Sequence, residues 1–157
     1  MKKNILLIGH KSFIGKSFKK NIFKNKKNFN LYYLSSYFLE KDIYLLKKKD
    51  FFKKYLSKYK NIDIILSCLH IHKNNLEEEL NLNTKIYHNI LFYAKFCRVK
   101  KIIYISSVNV SSRKISHYAF VKFQVENLIK KFDNFTIISL LFSIDVLHGV
   151  SYRLWMH

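Results

Sequence analysis

The chain is expected to fold as a single α/β domain built on a doubly wound parallel sheet. Short, almost wholly apolar runs alternate with amphipathic helical segments, and a glycine turn stands directly behind the first run. Strands apolar on both faces need cover on both faces, which parallel sheets obtain from their crossover helices. At 157 residues the chain fits one domain, and a domain of this size buries roughly 68–70% of its unfolded surface. No covalent staple is needed.

The first strand is residues 4–8, where Ile5, Leu6, Leu7 and Ile8 follow Asn4. Gly9 and Gly15 come straight after it, in a chain with only three glycines and no proline. Glycine therefore marks this turn and is not loop filler. A Lys- and Phe-rich helix follows, and a helix opening at such a turn presents unpaired N–H groups and its positive dipole end, which suit a phosphate or pyrophosphate. The same pattern also serves an ordinary βα turn.

Residues 29–34 form a short second run, closed by Ser35 and Ser36, and another short run surrounds Ile43. Phe51, Phe52, Tyr55 and Leu56 lie at helical spacing within 48–59, and 62–66 reads as a buried strand. A long helix over 75–97 is predicted by Leu76, Leu80, Asn83, Tyr87, Ile90, Leu91 and Ala94, with Glu77, Glu78 and Glu79 near its positive end. A buried strand at 100–105, a helix at 116–131 and a strand at 135–141 complete the alternation.

A formal charge of +19 suggests a polyanionic partner. The lysines, however, spread over every predicted helix surface, and arginine occurs only at Arg98, Arg113 and Arg153. A solvated surface of A/T-rich codon usage explains the charge, and no nucleic-acid partner is expected. Cys68 and Cys97 lie in apolar segments without CxxC spacing, which indicates buried thiols in a reducing compartment. The apolar run behind Met1-Lys2-Lys3 is too short for a secretory leader, and residues 135–147 are too short to span a bilayer and contain Asp145. A cytoplasmic protein with no membrane partner is expected.

Ligands of doubly wound sheets lie beyond the carboxyl ends of the strands. Ser106 and Ser107 follow the strand at 100–105, and Tyr118 and Lys122 stand four apart on one face of the next helix. A lysine ammonium beside a phenol is expected to lower the phenol's pKa, towards proton exchange with a substrate whose oxygen Ser107 orients. His70-x-His72 has no evident third ligand, so no metal is expected. The pair is expected to line the cofactor pocket. His117 is read as a surface residue.

These segments resemble the extended short-chain dehydrogenases/reductases, the NAD(P)-dependent epimerase/dehydratase group. Leu7-Ile8-Gly9 through Gly15 is similar to that family's cofactor turn, 63–66 to its fourth strand, 83–91 to its Asn-led helix, and 99–107 to the strand before the active site. Tyr118 and Lys122 fall on its catalytic pair, with Glu126 at a commonly acidic position. The resemblance implies a Rossmann-like fold over 1–145, an unmatched tail over 146–157, and NAD or NADP as cofactor. It implies that Gly9, Ser12, Phe13, Ile14 and Gly15 cradle the diphosphate and that Asp42 and Ile43 contact adenine. Lys122 would hold the nicotinamide ribose, Tyr118 would be the general acid/base and also contact the cofactor, Ser107 would bind the reacting oxygen, and Asn83 would support the site and belong to the cofactor-binding set.

Ser12 stands where the family has its middle glycine, so a wider turn is expected. No carboxylate closes the second strand, which leaves NAD and NADP both open. The resemblance implies hydride transfer on a nucleotide sugar, with a homodimer as a possible assembly. The chain ends near where the family's substrate domain forms, so the alternative is a truncated, non-catalytic NAD(P)-binding module.

Overall fold

A computed structural model describes residues 2–24, 27–34, 61–107, 116–145 and 149–156. The elements are β1 (Lys3–Ile8), α1 (Phe13–Lys24), β2 (Phe29–Leu34), β3 (Ile64–Ser67), α2 (Leu76–Phe96), β4 (Lys101–Ser107), α3 (His117–Ile129), β5 (Phe135–Asp145) and β6 (Gly149–Met156). The sheet order is β2-β1-β3-β4-β5-β6. The first five strands are parallel, and β6 returns antiparallel along β5, from Asp145 opposite Gly149 to Ile138 opposite Met156. β5 therefore runs beyond the expected 135–141, because the segment read as an unmatched tail pairs with it. The run around Ile43 and the helix over 48–59 lie outside the described residues.

Strand alternation sorts the core into two layers, as a doubly wound sheet requires. Leu6, Ile8, Ile65, Ile102 and Tyr104 pack beneath Ile86, Tyr87, Ile90 and Ala94 of α2 and Val125 and Ile129 of α3. Ile5, Leu7, Leu66 and Ile105 form the opposite layer, covered by Ile14, Phe18 and Ile22 of α1. α2 starts at its Asn75 cap, whose side chain accepts from Glu78 N–H, and α3 at Ser116, which accepts from Ala119 N–H. In a chain so poor in glycine, Arg98 takes the left-handed conformation after α2, at φ 52°.

The amino ends of three strands are tied together by Asp63. Its carboxylate accepts from Asn4 N–H at 2.9 Å and from Lys100 Nζ at 2.7 Å, and its carbonyl accepts from the N–H groups of Lys100 and Lys101. The Asn4 N–H bond first, and then the Lys100 ammonium, hold the carboxyl below its ordinary value of 3.8. The stabilisation is thus present above the ordinary value and lost as pH falls through the lower folded one. Asp63→Asn should cost about 1 kcal/mol at neutral pH, and in urea titrations repeated down the pH scale the gap from wild type should close below pH 3.8.

Candidate functional site

The glycine turn is built by close backbone contact. Gly9 has φ +82°, and a Cβ on it would lie 2.8 Å from both Cys68 C and Leu69 N. A Cβ on Gly15 would lie 2.1 Å from Gly9 O. Only glycine fits either place. Ser12 ties the turn together: its N–H donates to Gly9 O at 3.0 Å, its hydroxyl donates to the same oxygen at 2.8 Å, and that hydroxyl accepts from Gly15 N–H at 3.0 Å. The serine side chain fits because it caps α1, replacing the room a glycine would leave with two hydrogen bonds. Ile14 packs into the α1-side core while Phe13 is exposed. His10 packs on Tyr33 at the end of β2, with ring centroids 4.8 Å apart.

The segment leaving β3 runs from this turn to α3. Tyr87 of α2 donates to Leu69 O at 2.8 Å and so accepts from the Ser67 hydroxyl, also at 2.8 Å. Asn83 grips Ile71 like a paired strand, accepting from its N–H at 3.0 Å and donating to its carbonyl at 2.7 Å. A further bond from the Asn83 amide nitrogen goes to Glu79 O. With its amide thus committed and no exposed surface, Asn83 fixes this loop.

Glu79 is the site residue that spacing alone did not single out. Wholly buried, it accepts from His70 Nε2 at 2.9 Å and from Lys73 N–H at 2.8 Å, and His72 Nδ1 lies 2.8 Å from its other edge. Burial pushes its carboxyl up, but the Lys73 bond and the two histidines outweigh that and leave it below the usual range. His70 is lowered to about 4, by burial and then by Lys122, against the pull of Glu79. It is therefore neutral at pH 7, with its proton on Nε2. Its ring meets Tyr118 edge-on at 4.6 Å.

Tyr118 and Lys122 share one face of α3, as the four-residue spacing requires. Lys122 Nζ lies 5.5 Å from the Tyr118 ring centre and 4.7 Å from that of Tyr104, and donates to Ile105 O at 2.7 Å. The ammonium thus sits against ring faces and a carbonyl. Tyr118 is raised above its ordinary value, by burial and then by the charge of Glu79, which corrects the expected lowering. Desolvation outweighs a cation that is directed elsewhere. Burial lowers Lys122 itself to about 8, opposed by Cys68 and Glu126. Ser106 donates to Glu126; Ser107, the last residue of β4, is buried. Asp42 and Ile43 lie outside the described residues.

Cys68 is buried and its thiol is pushed up to about 12, which makes it a packing group and not a nucleophile. His117 is exposed. Beside it, an open cavity of about 530 Å³ separates the starts of α2 and α3, lined by Asn74, Asn75, Leu76, Glu77, Leu80, His117 and Phe120. No described helix is long and apolar enough to cross a membrane.

Solved structures share this fold. A GDP-L-fucose synthetase from Naegleria fowleri, also solved with NADP bound, superposes with a TM-score of 0.69 at 19% identity, covering 94% of this chain and 58% of that one. A UDP-glucuronic acid 4-epimerase from Bacillus cereus, in complex with NAD, gives 0.66 at 19% identity over 88% of this chain and 56% of that one. ADP-L-glycero-D-manno-heptose-6-epimerase from Helicobacter pylori gives 0.61 at 17% identity, over 85% and 53%. The chain therefore spans little more than half the length of the structures it matches. Its fold is that of the extended short-chain dehydrogenases/reductases. No family model matches the sequence, and neither does any curated protein.

Gly15→Ala should cost roughly 2–3 kcal/mol by overpacking, read as a lower denaturant midpoint; an unchanged midpoint would contradict the close approach to Gly9 O. In ultraviolet titration of the free protein, the wild type minus Tyr118→Phe difference should show a phenol ionising above pH 10.0.

Proposed function

We propose that this chain is the cofactor-binding part of an extended short-chain dehydrogenase/reductase, taking NAD or NADP across the carboxyl edge of its sheet and acting on a nucleotide sugar. The observation that carries this reading is one continuous line of contacts. Gly9 lies against Cys68 and Leu69, and the next residue, His70, lies against Tyr118. The helix start suited to a diphosphate and the Tyr–Lys pair therefore occupy the same edge, bridged by three residues. The bound nucleotides of the similar structures, NADP in one and NAD in another, support the same reading.

The residues fit such a group. The opening of α1 would face the diphosphate, Asp42 and Ile43 the adenine, and Lys122, mostly charged at pH 7 with its value of about 8, the ribose beside the nicotinamide. When bound, the nicotinamide supplies hydride exchange with a sugar carbon. Tyr118 moves the accompanying proton at the sugar oxygen, which Ser107 orients. Because burial keeps Tyr118 protonated at neutral pH, the resting phenol is set to donate to a carbonyl; acting as base requires the cation of Lys122 to turn from Ile105 O towards it.

Fluorescence titration with NADH and NADPH tests binding, and turnover of nucleotide sugars tests chemistry. Tyr118→Phe should lower turnover by about 100-fold or more while leaving cofactor affinity nearly unchanged. Binding without Tyr118-dependent turnover would reduce the protein to a cofactor-binding module, and no binding of either nucleotide would end the reading.

A further inference from the structure

We propose that His70, His72 and Glu79 form a binding site for one divalent transition-metal ion of the zinc type. One ligand atom from each side chain lies within 4.8 Å of the other two. A tetrahedral zinc ion with bonds of about 2.0–2.2 Å holds its donor atoms roughly 3.3 Å apart. Glu79 presents Oε1 to His70 Nε2 at 2.9 Å and Oε2 to His72 Nδ1 at 2.8 Å, so an ion shared by both imidazoles would take the carboxylate at its centre, through one oxygen or both. His72 is 72% exposed and has room to adjust to it.

The scaffold for the three groups is already in place. Asn83 holds Ile71 at both its N–H and its carbonyl, and in an extended segment the side chains on either side of a residue share a face. His70 and His72 therefore turn together towards the first turn of α2, where Glu79 is wholly buried and further fixed by Lys73 N–H. Two imidazoles and one carboxylate are a donor set for zinc and its neighbours, whereas magnesium and calcium take oxygen ligands. Three protein donors leave a fourth position for water, at the exposed His72 side. The ion would fasten the 68–73 segment to α2 immediately beside Tyr118, whose ring His70 touches. The site stands apart from the cofactor reading and does not require it.

The competing role for the same three side chains is a hydrogen-bonded anchor that holds no ion. Titration of the chelator-stripped full chain with Co²⁺ separates the two. The expected result is one saturable equivalent with the intense visible absorption of four-coordinate Co²⁺, displaced by Zn²⁺ and unaffected by excess Mg²⁺. His72→Ala removes an exposed ligand without disturbing the core, so circular dichroism should be unchanged while Co²⁺ affinity falls at least about 10-fold. Zn²⁺ should raise the unfolding temperature of wild type and not of His72→Ala. Absence of a saturable Co²⁺ spectrum, or equal affinity in His72→Ala, would overturn the proposal and leave the anchor.

Discussion

The carbonyl oxygen of Gly9 sets the shape of the whole carboxyl edge. It accepts from both the N–H and the hydroxyl of Ser12, and it occupies the space that a side chain at position 15 would need. The residue carrying it must itself be glycine, because its φ of +82° and its contact with Cys68 and Leu69 exclude a Cβ. β1 can therefore turn into α1 while lying directly against the exit of β3. With a bulkier turn the exit of β3 would be displaced, and His70 with it, away from α3. Two glycines thus connect the cofactor end and the Tyr118 end of the site, although neither is near Tyr118 in sequence.

Beyond that approach, the edge is held by buried polar groups that satisfy one another. Tyr87, Asn83 and Glu79 lie on successive turns of α2 and grip, respectively, Leu69, Ile71 and the His70–Lys73 stretch. One helix face thereby fixes an irregular segment along its length. Each of these side chains would be costly to bury without a partner, so the loop and the helix stabilise each other. The loop that lines the candidate site is in this sense part of the core.

The sheet was legible in the sequence because nearly every parallel strand is apolar on both faces, and α2 because its apolar residues recur at the helical period behind an acidic start; the caps that begin α2 and α3, Asn75 and Ser116, emerge only from the structure. Tyr118 and Lys122 were legible as a pair because helical spacing alone brings them together. Glu79 was hidden among Glu77, Glu78 and Glu79, three carboxylates that read alike near a helix start; only the path of the 68–73 segment decides which one turns inward. β6 was hidden for a different reason. Its partner is β5, and antiparallel return of the chain depends on a turn that the apolar pattern does not encode. The effect of Lys122 on Tyr118 was misjudged because spacing gives proximity but not direction, and the ammonium points to Ile105 O.

That direction bears on how the pair could work. Lys122 is almost fully enclosed, and its charge is stabilised by one carbonyl, two ring faces and the more distant Glu126. Burial counters these and leaves its value at about 8, so the ammonium is not locked into a strong ion pair. Tyr118 meanwhile stays protonated under the combined effect of burial and Glu79. Only an oxygen that drew the ammonium from Ile105 O towards the Tyr118 hydroxyl would strengthen the cation's field at the phenol and make it more acidic.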